Sequence, residues 1–190
     1  MVIEIKNLSK SYDGAPVLDN LNLTLDSVSP ICIMAPSGRG KTTLFNILLG
    51  LLKADEGEIT GTENAKFSAV FQEDRLCEQL SAIMNLAIVM NKPDKAVLSE
   101  KLQKMGLAED EIHRPVSQLS GGQKRRVAIL RALVSDSDAV FMDEPFKGLD
   151  DDTRLQVIQQ VKENLDGRLL MVITHNEEDA TALGAKVINL

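Results

Sequence analysis

The chain has 190 residues, a net charge of −7 and 44% apolar residues, which suffices for one globular domain with a substantial core. The acidic balance argues against nonspecific nucleic-acid binding, and the presence of only two cysteines argues against a disulfide framework or a metal cluster. The apolar runs are too short to span a bilayer, so we expect a cytosolic chain that does not itself cross a membrane.

The N-terminal third begins with residues that alternate between apolar and polar. Val2–Ile5 and Leu21–Leu25 have the period of strands, and Asp13–Pro16 has the composition of a turn between them. Ile31–Met34 is continuously apolar, as expected for a buried strand. A helix is predicted soon afterwards, because apolar side chains recur at helical spacing at Leu44, Ile47, Leu48 and Leu51.

A glycine-rich segment, Ala-Pro-Ser-Gly-Arg-Gly-Lys-Thr at 35–42, lies between this strand and this helix. Backbone N–H groups of such a turn, with the helix N-terminus behind them, bind phosphate. Lys41 can reach the β- and γ-phosphates, and the Thr42 hydroxyl can bind Mg²⁺. Ala35 stands where the pattern usually has glycine, and we expect a negative φ there with binding retained. The predicted ATP-binding residues are Ala35, Pro36, Ser37, Gly38, Arg39, Gly40, Lys41, Thr42 and Thr43.

Residues 73–118 have a different character. Their apolar spacing predicts helices over 80–90 and 93–105, with Leu98, Leu102 and Met105 on one face, and Pro115 closes the stretch. We therefore predict a helical subdomain at 73–118, inserted into a core made of 1–72 and 119–190.

The core is predicted to resume with alternating helices and strands. Buried strands are expected at Ala139–Met142 and Leu169–Ile173, and a last short strand at Lys186–Leu190. This alternation predicts an α/β fold with a mostly parallel sheet covered on both faces, beside an antiparallel N-terminal portion. The spacing of Thr174 and Glu177 predicts that Thr174 caps the helix that follows.

Two carboxylates, Asp143 and Glu144, directly follow a predicted buried strand. Open α/β sheets bind ligands in the crevice beyond the carboxyl ends of their strands. We expect Asp143 to hold Mg²⁺, through a water molecule, and Glu144 to orient or deprotonate an attacking water. Two further features are interpreted without a function: Lys124-Arg125-Arg126 as a solvated helix face, and His113 as a surface histidine.

One further segment, Leu119-Ser120-Gly121-Gly122-Gln123, resembles the signature of the ABC-type ATPases. Other elements of that family follow in family order. Gln72 resembles the Q-loop glutamine, Gly148-Leu149-Asp150 the D-loop, and His175 the switch histidine that contacts the γ-phosphate. Tyr12 stands where the family has an aromatic that stacks on adenine. The resemblance covers essentially the whole chain and implies a P-loop ABC-type ATPase domain.

This resemblance implies the energy-coupling subunit of an ABC transporter, which binds ATP and Mg²⁺. Its partners would be transmembrane permease subunits, so that it would lie peripherally on the cytoplasmic face of the membrane. ATP would close a head-to-tail homodimer, and no direct nucleic-acid contact is expected. The implied roles are catalysis for Glu144, His175 and Gln72, metal binding for Thr42, Gln72 and Asp143, contact with the partner's ATP for Ser120, Gly121, Gly122 and Gln123, and dimer coupling for Asp150.

Two alternatives stay open at this point. Some ABC ATPases act in DNA repair or translation instead of transport, but the long coiled-coil insertion or second ATPase domain of those types is not seen in this sequence. A regulatory ATP-binding module without turnover is the second alternative, and Glu144 and His175 argue against it. Residues 70–76 resemble importers of nitrate, sulfonate or taurine-like anions, which is a weak indication of cargo.

Overall fold

The computed structural model describes residues 1–36 and 38–190. These form two compact units: unit 1 comprises Met1–Phe67, Ser137–Asp143 and Gly167–Leu190, and unit 2 comprises Ser68–Asp136 and Glu144–Asp166. In chain order the elements are β1 (Val2–Tyr12), β2 (Ala15–Asp26), β3 (Ile31–Met34), α1 (Lys41–Leu48), β4 (Glu56–Thr60), β5 (Phe67–Val70), α2 (Ala82–Ala87), α3 (Lys95–Lys104), α4 (Glu109–His113), α5 (Gly121–Val134), β6 (Ala139–Asp143), α6 (Asp151–Glu163), β7 (Leu169–Ile173), α7 (Glu177–Leu183) and β8 (Lys186–Asn189), with a 3₁₀ turn at Val116–Gln118.

The antiparallel part of unit 1 is a three-stranded sheet in the order β2-β1-β4. The predicted turn between β1 and β2 is confirmed: Asp13 has φ 50° and Gly14 has φ 80°, and two successive positive φ values suit a tight hairpin. Both strands are longer than the sequence suggested and contain register shifts. β4 was not predicted, because its sequence Glu-Gly-Glu-Ile-Thr is polar and mostly exposed.

The second sheet has the order β5-β6-β7-β3-β8, and the described pairings of β3, β6, β7 and β8 are parallel. All residues of β3, β6 and β7 are buried, which explains their continuous apolar sequences. Ile33 and Asp143 both pair with Ile173. The carboxyl ends of these three strands therefore meet at one edge, where the glycine-rich loop, Asp143 and Thr174 follow.

Helix α1 covers this sheet with Leu44, Ile47 and Leu48, which are buried as predicted. The fourth member of the predicted stripe was wrong. The helix ends at Leu48, and Leu51 lies beyond it with 61% of its surface exposed. Gly50 follows the helix with φ 70°, so the chain turns away before Leu51 can reach the apolar face.

Unit 2 is largely helical. Helices α2 and α3 are shorter than predicted, and α4 was not predicted, because five residues dominated by acidic side chains show no apolar period. Leu98, Leu102 and Met105 are all buried, which confirms their common face. His113 is an exposed residue beside Glu109, as expected. None of the helices in the described part of the chain combines the length and apolar character that crossing a bilayer requires.

A buried amide, Asn85 on α2, anchors the irregular segment that precedes its helix. Asn85 is 0% exposed, and its Oδ1 accepts from the N–H of Cys77 at 2.8 Å. Its Nδ2 donates to the carbonyls of Cys77 and Ser81, both at 3.1 Å. One buried side chain thus links the backbone of Cys77 and Ser81, and it is the described acceptor of the Cys77 N–H.

We predict that Asn85→Ala lowers the free energy of unfolding by about 1–3 kcal/mol, because it removes the hydrogen bonds of a fully buried amide and takes the described acceptor from the Cys77 N–H. Urea denaturation followed by circular dichroism measures this. Asn91→Ala, at an exposed position after the same helix, is the matched control and should change stability by less than about 0.5 kcal/mol. Equal effects of the two substitutions would contradict the anchoring role.

Candidate functional site

The glycine-rich loop connects β3 to α1, and its backbone conformation depends on glycine at two described positions. Gly38 has φ 81°, and Gly40 has φ 82° and caps the N-terminus of α1. Ala35 is not among the described non-glycine residues with positive φ, which confirms the expected backbone conformation, while retained binding stays a prediction. Ser37, also predicted to bind ATP, lies outside the described residues. The loop thus has the left-handed turns that point successive N–H groups inward.

Gly40 is also constrained by the lack of space for a side chain. A Cβ atom at this position would lie 2.7 Å from Cδ2 of Leu18 and 2.8 Å from the carbonyl oxygen of Val17. A Cβ atom at Gly38 would have no atom within 4 Å. Gly40 is therefore the position at which the phosphate loop presses against β2, whereas Gly38 needs glycine for its φ alone.

The Lys41 ammonium folds back over its own loop. Its Nζ donates to the carbonyl of Ala35 at 2.5 Å and to that of Pro36 at 3.0 Å. A cation is thereby held at the mouth of a loop that is built to bind an anion. Of the other predicted ATP-binding residues, Thr43 lies in the first turn of α1, and Arg39 is exposed.

The structure brings Thr42 and Asp143 together, 101 positions apart in the sequence. The Thr42 hydroxyl donates to Oδ2 of Asp143 at 3.3 Å, and Asp143 is only 6% exposed at the end of β6. Oxygen ligands of this kind suit Mg²⁺, which typically takes one or two carboxylates and keeps several waters. Within the described residues, His, Cys, Asp and Glu form no cluster of three or more that could hold a metal ion. The Thr42 hydroxyl and the Asp143 carboxylate fit a Mg²⁺ ion that takes its other ligands from water and phosphate.

The segment around His175 is held by a buried hydrogen bond that we did not predict. The Thr174 hydroxyl donates to Oδ2 of Asp179 at 2.7 Å and accepts from the N–H of Asn176 at 3.1 Å. Both Thr174 and Asp179 are buried, and His175 between these contacts is exposed. The predicted cap was wrong: Asn176 caps α7 by accepting from the N–H of Glu178, and Thr174 fixes the chain before it.

Tyr12 is an exposed aromatic at the end of β1. Its side chain is 46% exposed, which argues against a role in the core, and Nζ of Lys10 lies 5.7 Å from the ring centroid. Asp55 ties this strand end down, because its carboxylate accepts from Lys10 Nζ at 2.5 Å and from the N–H of Ser11 at 2.7 Å. The backbone beside Tyr12 is thus held in place, and the exposed ring is of the kind that can stack on a base.

In unit 2, the side chain of Ser120 caps helix α5. Its Oγ accepts from the N–H of Gln123 at 3.3 Å, while Oε1 of Gln123 accepts from the N–H of Ser120 at 2.8 Å. Gln123 also donates to Oε1 of Glu111 at 2.5 Å, which links the cap to α4. In the cap, the Ser120 oxygen acts only as an acceptor, so its hydroxyl hydrogen can still point outward at an anion. The N–H groups of Gly121 and Gly122 can do the same.

Glu144 and Asp150 lie at the two ends of the segment between β6 and α6. Glu144 has φ 48°, a left-handed conformation that is costly for a side chain with a Cβ and that clusters at functional sites. Asp150 caps α6 by accepting from the N–H of Thr153 at 3.0 Å, and this hydrogen bond lowers the pKa of its carboxyl. Asp151 and Asp152 occupy the first turn, where they favour the positive end of the helix dipole.

The interpretation of Lys124-Arg125-Arg126 as a solvated face was wrong for both arginines. Arg125 donates through Nη1 to the carbonyl of Phe71 at 2.7 Å, and through Nη2 to the carbonyl of Gln72. Arg126 donates to the carbonyls of Met105 at 2.8 Å and Gly106 at 2.7 Å. Charge runs on a helix usually face water, and a single sequence contains no signal of these distant acceptors.

Comparison with known proteins places these features in a family. The family described as ABC transporter matches residues 18–147, more than half of the chain. The Spermidine/putrescine import ATP-binding protein PotA of Borreliella afzelii is 34% identical over 98% of this chain, which spans 59% of that protein's length. The Ergothioneine transport ATP-binding protein EgtV of Helicobacter pylori is 30% identical over 100% of this chain and 97% of its own.

A solved structure agrees with this placement. The dimeric ATP-binding cassette MJ0796, in a post-hydrolysis state bound to ADP and phosphate, superposes with a TM-score of 0.84 at 30% identity. The match covers 99% of this chain and 94% of that one. A parallel sheet beside an antiparallel sheet, with a P-loop after β3, is therefore confirmed as the fold of this chain.

We predict that Gly40→Ala abolishes nucleotide binding, since the substitution adds a clash with β2 to a left-handed φ that costs about 1–2 kcal/mol. Gly38→Ala is the matched control, because it adds the conformational cost without the clash. Titration with a fluorescent ATP analogue measures both affinities. Equal losses for the two variants would mean that the contact with Val17 and Leu18 does not constrain the loop.

Proposed function

This chain belongs to the ABC transporter family of ATP-binding proteins, and we propose that it is the ATP-hydrolysing, energy-coupling subunit of such a transporter. One observation carries the proposal: the Thr42 hydroxyl and the Asp143 carboxylate meet beside a loop whose lysine and glycines are set for phosphate. The chain spans 59% of the Borreliella relative, so the activity of the whole protein is part of the proposal.

The phosphate loop supplies the binding energy for the nucleotide. N–H groups of the loop and of the first turn of α1 take the phosphate oxygens, and Lys41 moves from the carbonyls of Ala35 and Pro36 to the β- and γ-phosphates. Tyr12 offers its exposed ring to the adenine base.

Thr42, Asp143 and Gln72 are the residues that would hold Mg²⁺ with the nucleotide. When bound, the ion neutralises charge on the β- and γ-phosphates. The close approach of Thr42 to Asp143 supports two of these assignments. Gln72 is an exposed residue whose position in the family pattern supports the third.

Hydrolysis is attack of water on the γ-phosphorus, which breaks the bond to the β-γ bridging oxygen and yields ADP and inorganic phosphate. Glu144 orients the water and accepts its proton, and His175 donates a hydrogen bond to the γ-phosphate. The left-handed φ of Glu144 supports a functional role for its side chain, because this conformation is costly for a non-glycine residue and such residues cluster at functional sites.

Ser120, Gly121, Gly122 and Gln123 would complete the site of a second copy. The capped N-terminus of α5 is a ready anion site, and the solved relative is dimeric. Asp150, which caps α6, would couple the two sites. We propose that ATP closes a head-to-tail homodimer and that ADP and phosphate release reopens it, with transmembrane subunits on the cytoplasmic face of a membrane taking up the motion.

The cargo depends on those membrane subunits. Relatives of similar identity are named for spermidine and putrescine import in one case and for ergothioneine transport in another. The resemblance of residues 70–76 to importers of nitrate, sulfonate or taurine-like anions therefore stays a prediction. The relatives that match this chain are transporter subunits, which disfavours the alternative in nucleic-acid or translation complexes.

We predict that Glu144→Gln keeps ATP affinity but lowers turnover by about 10²–10⁴-fold, the usual contribution of a general base. Without hydrolysis to reopen it, this variant should form an ATP-dependent dimer, which sedimentation velocity detects. A Lys41→Ala/Glu144→Gln double variant is the control and should stay monomeric. A Glu144→Gln protein that remains monomeric at saturating ATP would contradict the closed dimer.

A mixing experiment tests whether the signature acts on the partner's nucleotide. Lys41→Ala and Ser120→Arg chains should each be inactive alone. In a head-to-tail mixed dimer, one site carries both defects and the other is intact, so ATPase activity should reappear on mixing. Mixing Lys41→Ala with a Lys41→Ala/Ser120→Arg chain is the control, because it contains no intact site. Mixed dimers that form but show no activity would contradict independent sites completed in trans.

A further inference from the structure

We propose that Arg125 is a positioning residue for hydrolysis: it holds the backbone of Gln72 in place and ties that placement to the helix whose N-terminus Ser120 caps. The inference rests on the proposed role of Gln72 in metal binding and catalysis. It concerns residues of unit 2 only and assigns Arg125 no contact with the nucleotide.

The guanidinium of Arg125 donates two hydrogen bonds to one short turn and forms an ion pair with a third residue of that turn. Nη1 donates to the carbonyl of Phe71 at 2.7 Å, Nη2 donates to the carbonyl of Gln72, and Nε lies 3.2 Å from the carboxylate of Asp74. The side chains of Arg125 and Asp74 are only 11% and 22% exposed. An arginine fork can satisfy such a set, whereas a lysine ammonium would act as one point charge.

The turn that Arg125 holds is also constrained from within. Arg75 has φ 47°, a left-handed conformation, and its guanidinium carbon lies 3.6 Å from the centroid of the Phe71 ring. A second arginine of α5, Arg131, donates to the carbonyls of Asp74 at 3.1 Å and Arg75 at 2.9 Å. A strained turn of this kind persists only where its surroundings hold it, and here α5 supplies the contacts.

Helix α5 thus holds the backbone of the whole turn, because Arg125 and Arg131 together take the carbonyls of Phe71, Gln72, Asp74 and Arg75. Gln72 is an exposed residue. Within the described contacts, its side chain is therefore positioned through its own backbone, which Arg125 holds.

A double-mutant cycle separates positioning from general stability. Arg125→Met should lower kcat by about 10- to 100-fold, the usual effect of losing a group that orients a metal ligand. KM for ATP should change by less than about threefold, because the phosphate loop is untouched. In a Gln72→Ala background the same substitution should have no further effect on kcat, since the residue that it positions is already gone.

Arg126→Met is the matched control. Arg126 is the next residue of α5 and also donates to two backbone carbonyls, but those belong to Met105 and Gly106. Its effect on kcat should be the same factor with and without Gln72. If Gln72→Ala absorbs the Arg126 effect as well, the coupling is not specific to Arg125 and the inference fails. Arg125→Lys should give an intermediate kcat, because it keeps the charge beside Asp74 but not both carbonyl bonds.

The remaining outcomes are distinct. If Gln72→Ala alone leaves turnover unchanged, the proposed role of Gln72 is wrong, and the positioning inference falls with it. If Gln72→Ala lowers turnover but Arg125→Met does not, or if the two effects multiply, the positioning inference alone is overturned. Should Arg125→Met fail to fold, Asp74→Asn removes only the ionic partner. Its smaller loss of kcat should likewise vanish in the Gln72→Ala background.

Discussion

Parallel pairing of β3, β6 and β7 is the constraint on which the candidate site of unit 1 depends. Because parallel strands run in one direction, their carboxyl ends fall at one edge, and the register pairs both Ile33 and Asp143 with Ile173. The phosphate loop, the Asp143 carboxylate and the segment of His175 each begin within a residue or two of that edge. Strand pairing therefore brings to one edge of the sheet functional segments that are up to 140 positions apart in the sequence.

In both units, helix N-termini lie next to predicted functional segments. Gly40 begins α1 without a side chain, because the space beside Val17 and Leu18 admits none. Ser120, Asp150 and Asn176 begin their helices with side chains that accept from the first turn. The glycine loop, the signature, the segment of Asp150 and the segment of His175 therefore each end at a helix start.

Local sequence was sufficient for the features that depend on local chemistry. The apolar runs of β3, β6 and β7 and the glycine loop were predicted, because buried strands and glycine-rich turns leave residue-level patterns. The misses depend on which partner a polar side chain takes, near in sequence or distant from it. Thr174 has the spacing of a cap, but Asp179 and Asn176 take its hydroxyl instead. Arg125 looked solvated because its acceptors lie 53 and 54 positions away.

The Ser120 hydroxyl has two separate roles, one in the helix cap and one toward an anion, and mutations at this position must distinguish them. Its oxygen accepts from the Gln123 N–H, while its hydrogen is the part that would face a phosphate. An alanine scan would remove both at once and so credit the helix cap, typically worth about 1 kcal/mol, to catalysis. Aspartate keeps the cap but replaces the donor with a negative charge. Position 120 thus offers a separation-of-function allele, in which folding is spared and only the encounter with the anion is lost.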